Sequence, residues 1–162
     1  MTDFATPRTA RPIPPAVLEE LRDLDDAGRP PVPVTDDEGG APLRCCLRRS
    51  RPGERIALVS YAPLRRWAAE TGADPGPYDE QGPVFVHAER CAGPDGTDLP
   101  FTNSHRVLRR YGADGRILGG RLAERPEDFP AALAQAFTDP RVALVHVRAV
   151  EYGCFLYEVR RD

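Results

Sequence analysis

Hydrophobic positions along the chain recur with two spacings, one typical of helices and one typical of strands. Val17, Leu18, Leu21 and Leu24 recur at helical spacing after two prolines, and Gly28 supplies a stop. This pattern predicts a helix near the N-terminus. The same spacing predicts two further short helices, at residues 63–70 and 126–137.

Shorter runs, apolar or alternating between apolar and polar, predict strands. They lie at residues 43–49, 55–61, 83–89, 105–111, 116–122, 142–150 and 153–161. The segment Gly-Ala-Asp-Gly at 112–115 is a hairpin signal between two of these runs. Adjacent strands outnumber strand–helix alternations. We therefore expect an α+β fold, with a mainly antiparallel sheet of about six strands and two or three short helices.

The Pro- and Gly-rich segment 29–42 interrupts both spacings. We expect residues 1–42 to form an N-terminal helix followed by a Pro-rich linker. Residues 43–162 then form the α+β domain, which makes the chain a single domain overall.

The last two predicted strands can be given a register. Their apolar residues share one face only if paired residue numbers sum to an even value, because opposed residues in an antiparallel pair point to the same side. This register places His146, Arg148 and Cys154 on one polar face. A guanidinium beside a thiol favours the thiolate, so Arg148 is expected to activate Cys154.

Composition and charge exclude several function classes. All 22 basic residues are arginines, so mechanisms that need a lysine amine are excluded. The net charge of −3 argues against nonspecific nucleic-acid binding. The N-terminus shows no signal peptide and no apolar stretch is long enough to cross a bilayer, so we expect a cytoplasmic protein without a membrane partner. Its four cysteines are then expected to be reduced.

Histidine and cysteine supply the candidate catalytic groups. His87 ends a predicted strand that opens into a Gly/Pro loop, a common position for a functional side chain. His87 and His146 are the candidate acid and base, because histidine titrates near neutral pH. Cys154 is the candidate nucleophile, with Cys91 as the alternative.

An anionic substrate would be held by Arg148, since a guanidinium matches a carboxylate or a phosphate. Arg90 and Arg109 are further candidates for this contact. We expect no organic cofactor.

A zinc site is a weaker alternative. Its ligands would be His87, Cys91, His146 and Cys154, but residues four apart on an extended strand lie about 13 Å apart, so the spacing gives poor support. The sequence therefore assigns no metal ligand. Cys45 and Cys46 alternate across a predicted strand, so one is expected in the core and the other at the surface.

Four blocks of sequence resemble a known family. They cover residues 60–63, 77–91, 109–117 and 145–155, and the segments GPVFVHAE and VHVR…YGCF are the most distinctive. In these blocks the chain resembles the bacterial domain of unknown function 1203 family. The resemblance implies a single-domain bacterial protein and implies no activity. The four blocks contain the candidate residues named above. They also contain Tyr78, Tyr152 and Cys91, which are candidate contacts to the substrate.

The favoured function is a small enzyme that acts on an anionic small molecule through a polar face of His, Arg and Cys side chains. This hypothesis requires that His87 and His146 face the same space. Two alternatives stay open: a non-catalytic ligand-binding or protein-interaction module, and a metal-dependent enzyme with His and Cys ligands. The sequence also leaves open an association of identical chains.

Overall fold

A computed structural model describes residues 9–96 and 99–161, in which three α-helices and seven strands form. The expectation about a signal peptide falls outside these residues. The helices are α1 (Pro15–Asp23), α2 (Pro63–Thr71) and α3 (Phe129–Ala136). The strands are β1 (Val34–Asp36), β2 (Glu54–Tyr61), β3 (Gly82–His87), β4 (Arg106–Gly112), β5 (Ile117–Ala123), β6 (Val142–Arg148) and β7 (Phe155–Arg160). Short 3-10 turns lie at Gly76–Tyr78 and Pro126–Asp128.

The strands form two antiparallel sheets. One has the order β1-β2-β3, and the other has the order β5-β4-β6-β7. The predicted α+β class is confirmed. The described residues form seven strands in two sheets, whereas a single sheet of about six strands was expected. None of the described helices is long and apolar enough to span a bilayer.

The predicted strand at residues 43–49 is wrong. The backbone N–H of Leu47 donates to the carbonyl of Leu43 at 2.9 Å, and Leu47 has a φ of 59°, so the segment turns back on itself. Only an isolated bridge links Leu43 to Phe85 of β3. Because the chain is not extended here, Cys45 and Cys46 are both buried, and the expectation that one of them is at the surface is also wrong. A short strand, β1, forms instead within the predicted linker.

The predicted even register of the last hairpin is confirmed as far as Val147. His146 pairs with Glu158, and Val147 pairs with Tyr157, so paired numbers sum to an even value. A bulge after Val147 then sets Arg148 opposite Phe155, so the paired numbers sum to an odd value at Arg148. The even register was predicted to hold there and to place this arginine on one face with Cys154, and at this position the prediction is wrong.

Three groups of buried residues hold the elements together. Leu18 and Leu21 of α1 are buried against the three-stranded sheet, and Phe129 and Leu133 of α3 are buried against the four-stranded sheet. Trp67 of α2 belongs to a third group, with Tyr111 of β4 and Leu144 of β6. Helix α2, which begins directly after β2, therefore packs against the four-stranded sheet, and the two sheets adjoin near this helix.

Candidate functional site

The predicted site residues fall into two separate places. His146, Arg148, Cys154, Tyr78 and Tyr152 line one cavity of about 230 Å³, here called the inter-sheet pocket. His87 and Cys91 do not line it; they lie together beside a different surface depression. The structure therefore does not bring the two histidines to one site, as the favoured sequence hypothesis requires.

His146 lies at the wall of the inter-sheet pocket, and it is buried rather than on an exposed polar face. Its ring is enclosed by Tyr111, at 4.7 Å between centroids, and Phe155, at 5.0 Å. Its Nε2 lies 3.0 Å from Oε1 of Glu158, whereas its Nδ1 has no hydrogen-bond partner among the described residues. Burial lowers the pKa of His146, which keeps the ring neutral at neutral pH. We therefore assign the proton to Nε2, which leaves a lone pair on Nδ1.

Glu158 fixes the orientation of that ring. Its second oxygen accepts a hydrogen bond from Nε of Arg160 at 2.6 Å, and Arg160 also pairs with Glu70 at 2.7 Å. Burial opposes ionisation of Glu158, but the hydrogen bond from His146 and the charge of Arg160 outweigh it and hold the pKa of Glu158 below its usual value. Glu158 was not among the sequence candidates, although the predicted even register places it on the same face as His146.

Two arginines share the carboxylate of Glu80, which lines the same pocket together with Arg148. Arg109 is paired with His146 across β4 and β6, and its Nη1 donates to Oε1 of Glu80 at 2.8 Å. Nη2 of Arg148 lies 3.7 Å from Oε2 of Glu80, and Nε of Arg148 donates to the carbonyl of Gly153 at 2.8 Å. Burial, and then the charge of Arg109, lower the pKa of Arg148. Two guanidinium groups facing one carboxylate leave an excess positive charge at the pocket.

The other candidates at this pocket differ in exposure. Tyr152 is 92% exposed, and Tyr78 ends a 3-10 turn and is half-buried. Cys154 is a half-buried free thiol. Their proposed roles in catalysis and substrate contact stay predictions.

The second place is a cluster formed by Cys45, Cys46, His87 and Cys91, here called the thiol cluster. Its three sulphurs and one histidine nitrogen all lie within 4.8 Å of one another. The four zinc ligands considered from the sequence are therefore divided between two places, because His146 and Cys154 line the inter-sheet pocket. Cys45 and Cys46, from the mispredicted strand, lie beside His87 and Cys91 instead. A hydrogen bond from Cys45 lowers the pKa of Cys46 and raises that of Cys45.

Comparison with known proteins identifies the family alone. The family described as protein of unknown function (DUF1203) matches residues 40–161, which confirms the resemblance. No curated protein and no solved structure matches the chain.

Proposed function

Because the chain belongs to the DUF1203 family, whose description assigns no activity, we propose a function from its own geometry. The protein binds a small carboxylate-bearing molecule in the inter-sheet pocket and exchanges a proton with it through His146. In a cytoplasmic setting, as the sequence predicts, Cys154 is a thiol in this pocket and a candidate nucleophile.

The arrangement around Glu80 carries this proposal. One oxygen of its carboxylate faces Arg109 and the other faces Arg148, which is the way a bound carboxylate would be held. The side chain of Glu80 is half exposed, so an incoming carboxylate can displace it without opening the core. Glu80 therefore occupies the anion site in the free protein, and the carboxylate of a bound ligand takes its place.

His146 supplies the proton-exchange group beside that anion site. A base works best when its orientation is fixed and its free nitrogen carries a lone pair at the working pH. Glu158 fixes the ring through Nε2, and the neutral ring keeps Nδ1 unprotonated. A proton taken from the bound molecule would give an imidazolium, whose charge the Glu158 carboxylate balances.

Calorimetric titration with succinate tests the anion site. Arg148→Gln is expected to weaken binding by at least about tenfold, since a hydrogen bond to a charged group contributes about 1.5–3 kcal/mol. Glu80→Gln is expected to tighten binding, because it frees both guanidinium groups. Arg141→Gln serves as the matched control, because Arg141 is an exposed partner of Asp139 and does not line the pocket.

Two results would contradict the proposal. One is the same loss of succinate binding in Arg141→Gln as in Arg148→Gln. The other is the absence of succinate binding in both the unmodified protein and Glu80→Gln.

A further inference from the structure

We propose that Cys45, Cys46, His87 and Cys91 bind one zinc ion as a tetrahedral site with three sulphur ligands and one nitrogen ligand. The site is separate from the inter-sheet pocket, and the proposal does not depend on the function assigned there.

The distances among three of the donor atoms match such a site, and Sγ of Cys91 lies within 4.8 Å of each of them. Sγ of Cys45 and Sγ of Cys46 are 4.0 Å apart, and Nδ1 of His87 lies 3.4 Å from the first and 3.9 Å from the second. With zinc–sulphur bonds of about 2.3 Å and zinc–nitrogen bonds of about 2.05 Å, tetrahedral geometry separates two sulphurs by about 3.8 Å and sulphur from nitrogen by about 3.6 Å. Small shifts of the side chains would complete the coordination.

The local fold explains how two adjacent cysteines face the same ion. In a strand their side chains would point to opposite sides, but the turn closed between Leu43 and Leu47 directs both inward. This turn is fixed to β3, because the backbone N–H of Arg44 donates to the carbonyl of Phe85 at 2.9 Å. The end of β3 then brings His87 alongside.

The orientation of His87 is the one that a metal ligand needs. Its Nε2 lies 2.7 Å from Oε2 of Glu54, so Nδ1 faces the sulphurs. Glu54 is held in turn by two hydrogen bonds of 2.8 Å from Arg48. Histidines that bind metals usually donate their other ring N–H to a carboxylate in this way, which sets the ring orientation and the basicity of the ligand nitrogen.

Backbone donors point at two of the three sulphurs. The N–H of His87 donates to Cys45 at 3.2 Å, and the N–H of Gly93 donates to Cys91 at 3.4 Å. A sulphur that accepts such bonds is better stabilised as a thiolate, the form that binds metal. Three thiolates this close would repel one another, and a divalent cation among them would remove that repulsion.

The donor set also indicates what the ion does. Structural zinc sites have four protein ligands, whereas catalytic zinc sites keep one position open for water or substrate. The thiol cluster supplies four, so we assign it a structural role. The ion would join the turn at residues 43–47 to the end of β3 and to the loop that follows it. A surface depression of about 370 Å³, lined by Cys46, His87 and Cys91, gives it an entry path.

Metal analysis of the full chain, purified under reducing conditions and reconstituted with zinc, tests the proposal. The unmodified protein is expected to hold about one zinc ion per chain after dialysis. Cys46→Ser and Cys91→Ser are each expected to lose most of it. Cys154→Ser is the matched control and is expected to keep it, because Cys154 lies in the inter-sheet pocket.

A second measurement needs no variant, so it holds even if the serine variants fail to fold. Alkylation followed by mass spectrometry is expected to label Cys154 in the zinc-loaded protein, and to label Cys91, which is half-buried, only after chelation. Retention of zinc by Cys91→Ser at the level of Cys154→Ser would overturn the proposal. So would a reduced, unmodified protein that binds no zinc, or one whose alkylation pattern zinc does not change.

Discussion

Removing zinc from the loaded protein with a chelator is expected to lower its Tm by about 8–16 °C. A ligand present at a thousand times its Kd stabilises the folded state by about 4.1 kcal/mol. For a chain of 162 residues, each kcal/mol corresponds to about 2–4 °C. The loss should be large because the ion would cross-link the turn at residues 43–47, the end of β3 and the loop that follows it. Differential scanning calorimetry before chelation, after chelation and after readdition of zinc measures it.

Cys91→Ser provides the control for chelator effects unrelated to the thiol cluster. Its Tm should be low from the start and nearly insensitive to chelator. An equal fall in Tm in the unmodified protein and in Cys91→Ser would show that the chelator acts elsewhere. A fall smaller than about 2 °C in the zinc-loaded protein would exclude a structural role for the ion.

Glu158→Ala is expected to lower the free energy of unfolding by about 1–3 kcal/mol, because removing one member of a buried, hydrogen-bonded pair leaves its neutral partner unsatisfied. The partner is the Nε2–H of His146, which is 1% exposed, and Arg160 loses its contact with Glu158 as well. Urea denaturation at neutral pH measures the loss. Glu151→Ala is a matched control, since Glu151 also pairs with a histidine, His105, but at the surface. Its stability should be close to that of the unmodified protein.

The effect of Glu158→Ala should also depend on pH. The pKa of Glu158 is lowered in the folded state, so its contribution is fully present above the pKa of the unfolded chain, about 4.3. The contribution is lost as the pH falls through the folded pKa. The difference in stability between the unmodified protein and the variant should therefore shrink in acid. A difference that stays constant or grows as the pH falls would contradict the role of the ionised carboxylate.

Local pattern was enough to predict the part of the site that lies within one hairpin. The even register of β6 and β7 follows from keeping valines and aromatics on one face, and it places His146 on the same face as Glu158. The buried state of His146 could not be predicted this way, because it depends on Tyr111 from another strand. A hairpin determines its own pairing, but packing between distant segments determines what covers it.

The hydrophobic periodicity of the sequence could not predict the thiol cluster, for a different reason. Residues 43–49 alternate like a strand, and nothing in that alternation indicates that Leu47, a residue other than glycine, adopts a positive φ. The resulting turn moves Cys45 and Cys46 to the same side, next to His87. Long-range packing also separates His87 from His146, since they belong to different sheets.

Histidine-selective NMR tests the two-site arrangement most directly, because the chain has only three histidines. Zinc added to the metal-free, reduced protein is expected to shift the ring signals of His87 and leave those of His146 in place. Succinate is expected to shift His146 and leave His87 in place. His105, which pairs with Glu151 at the surface, should respond to neither. If zinc and succinate instead shift the same histidine, or if neither shifts His87 or His146, the assignment of two separate sites is wrong.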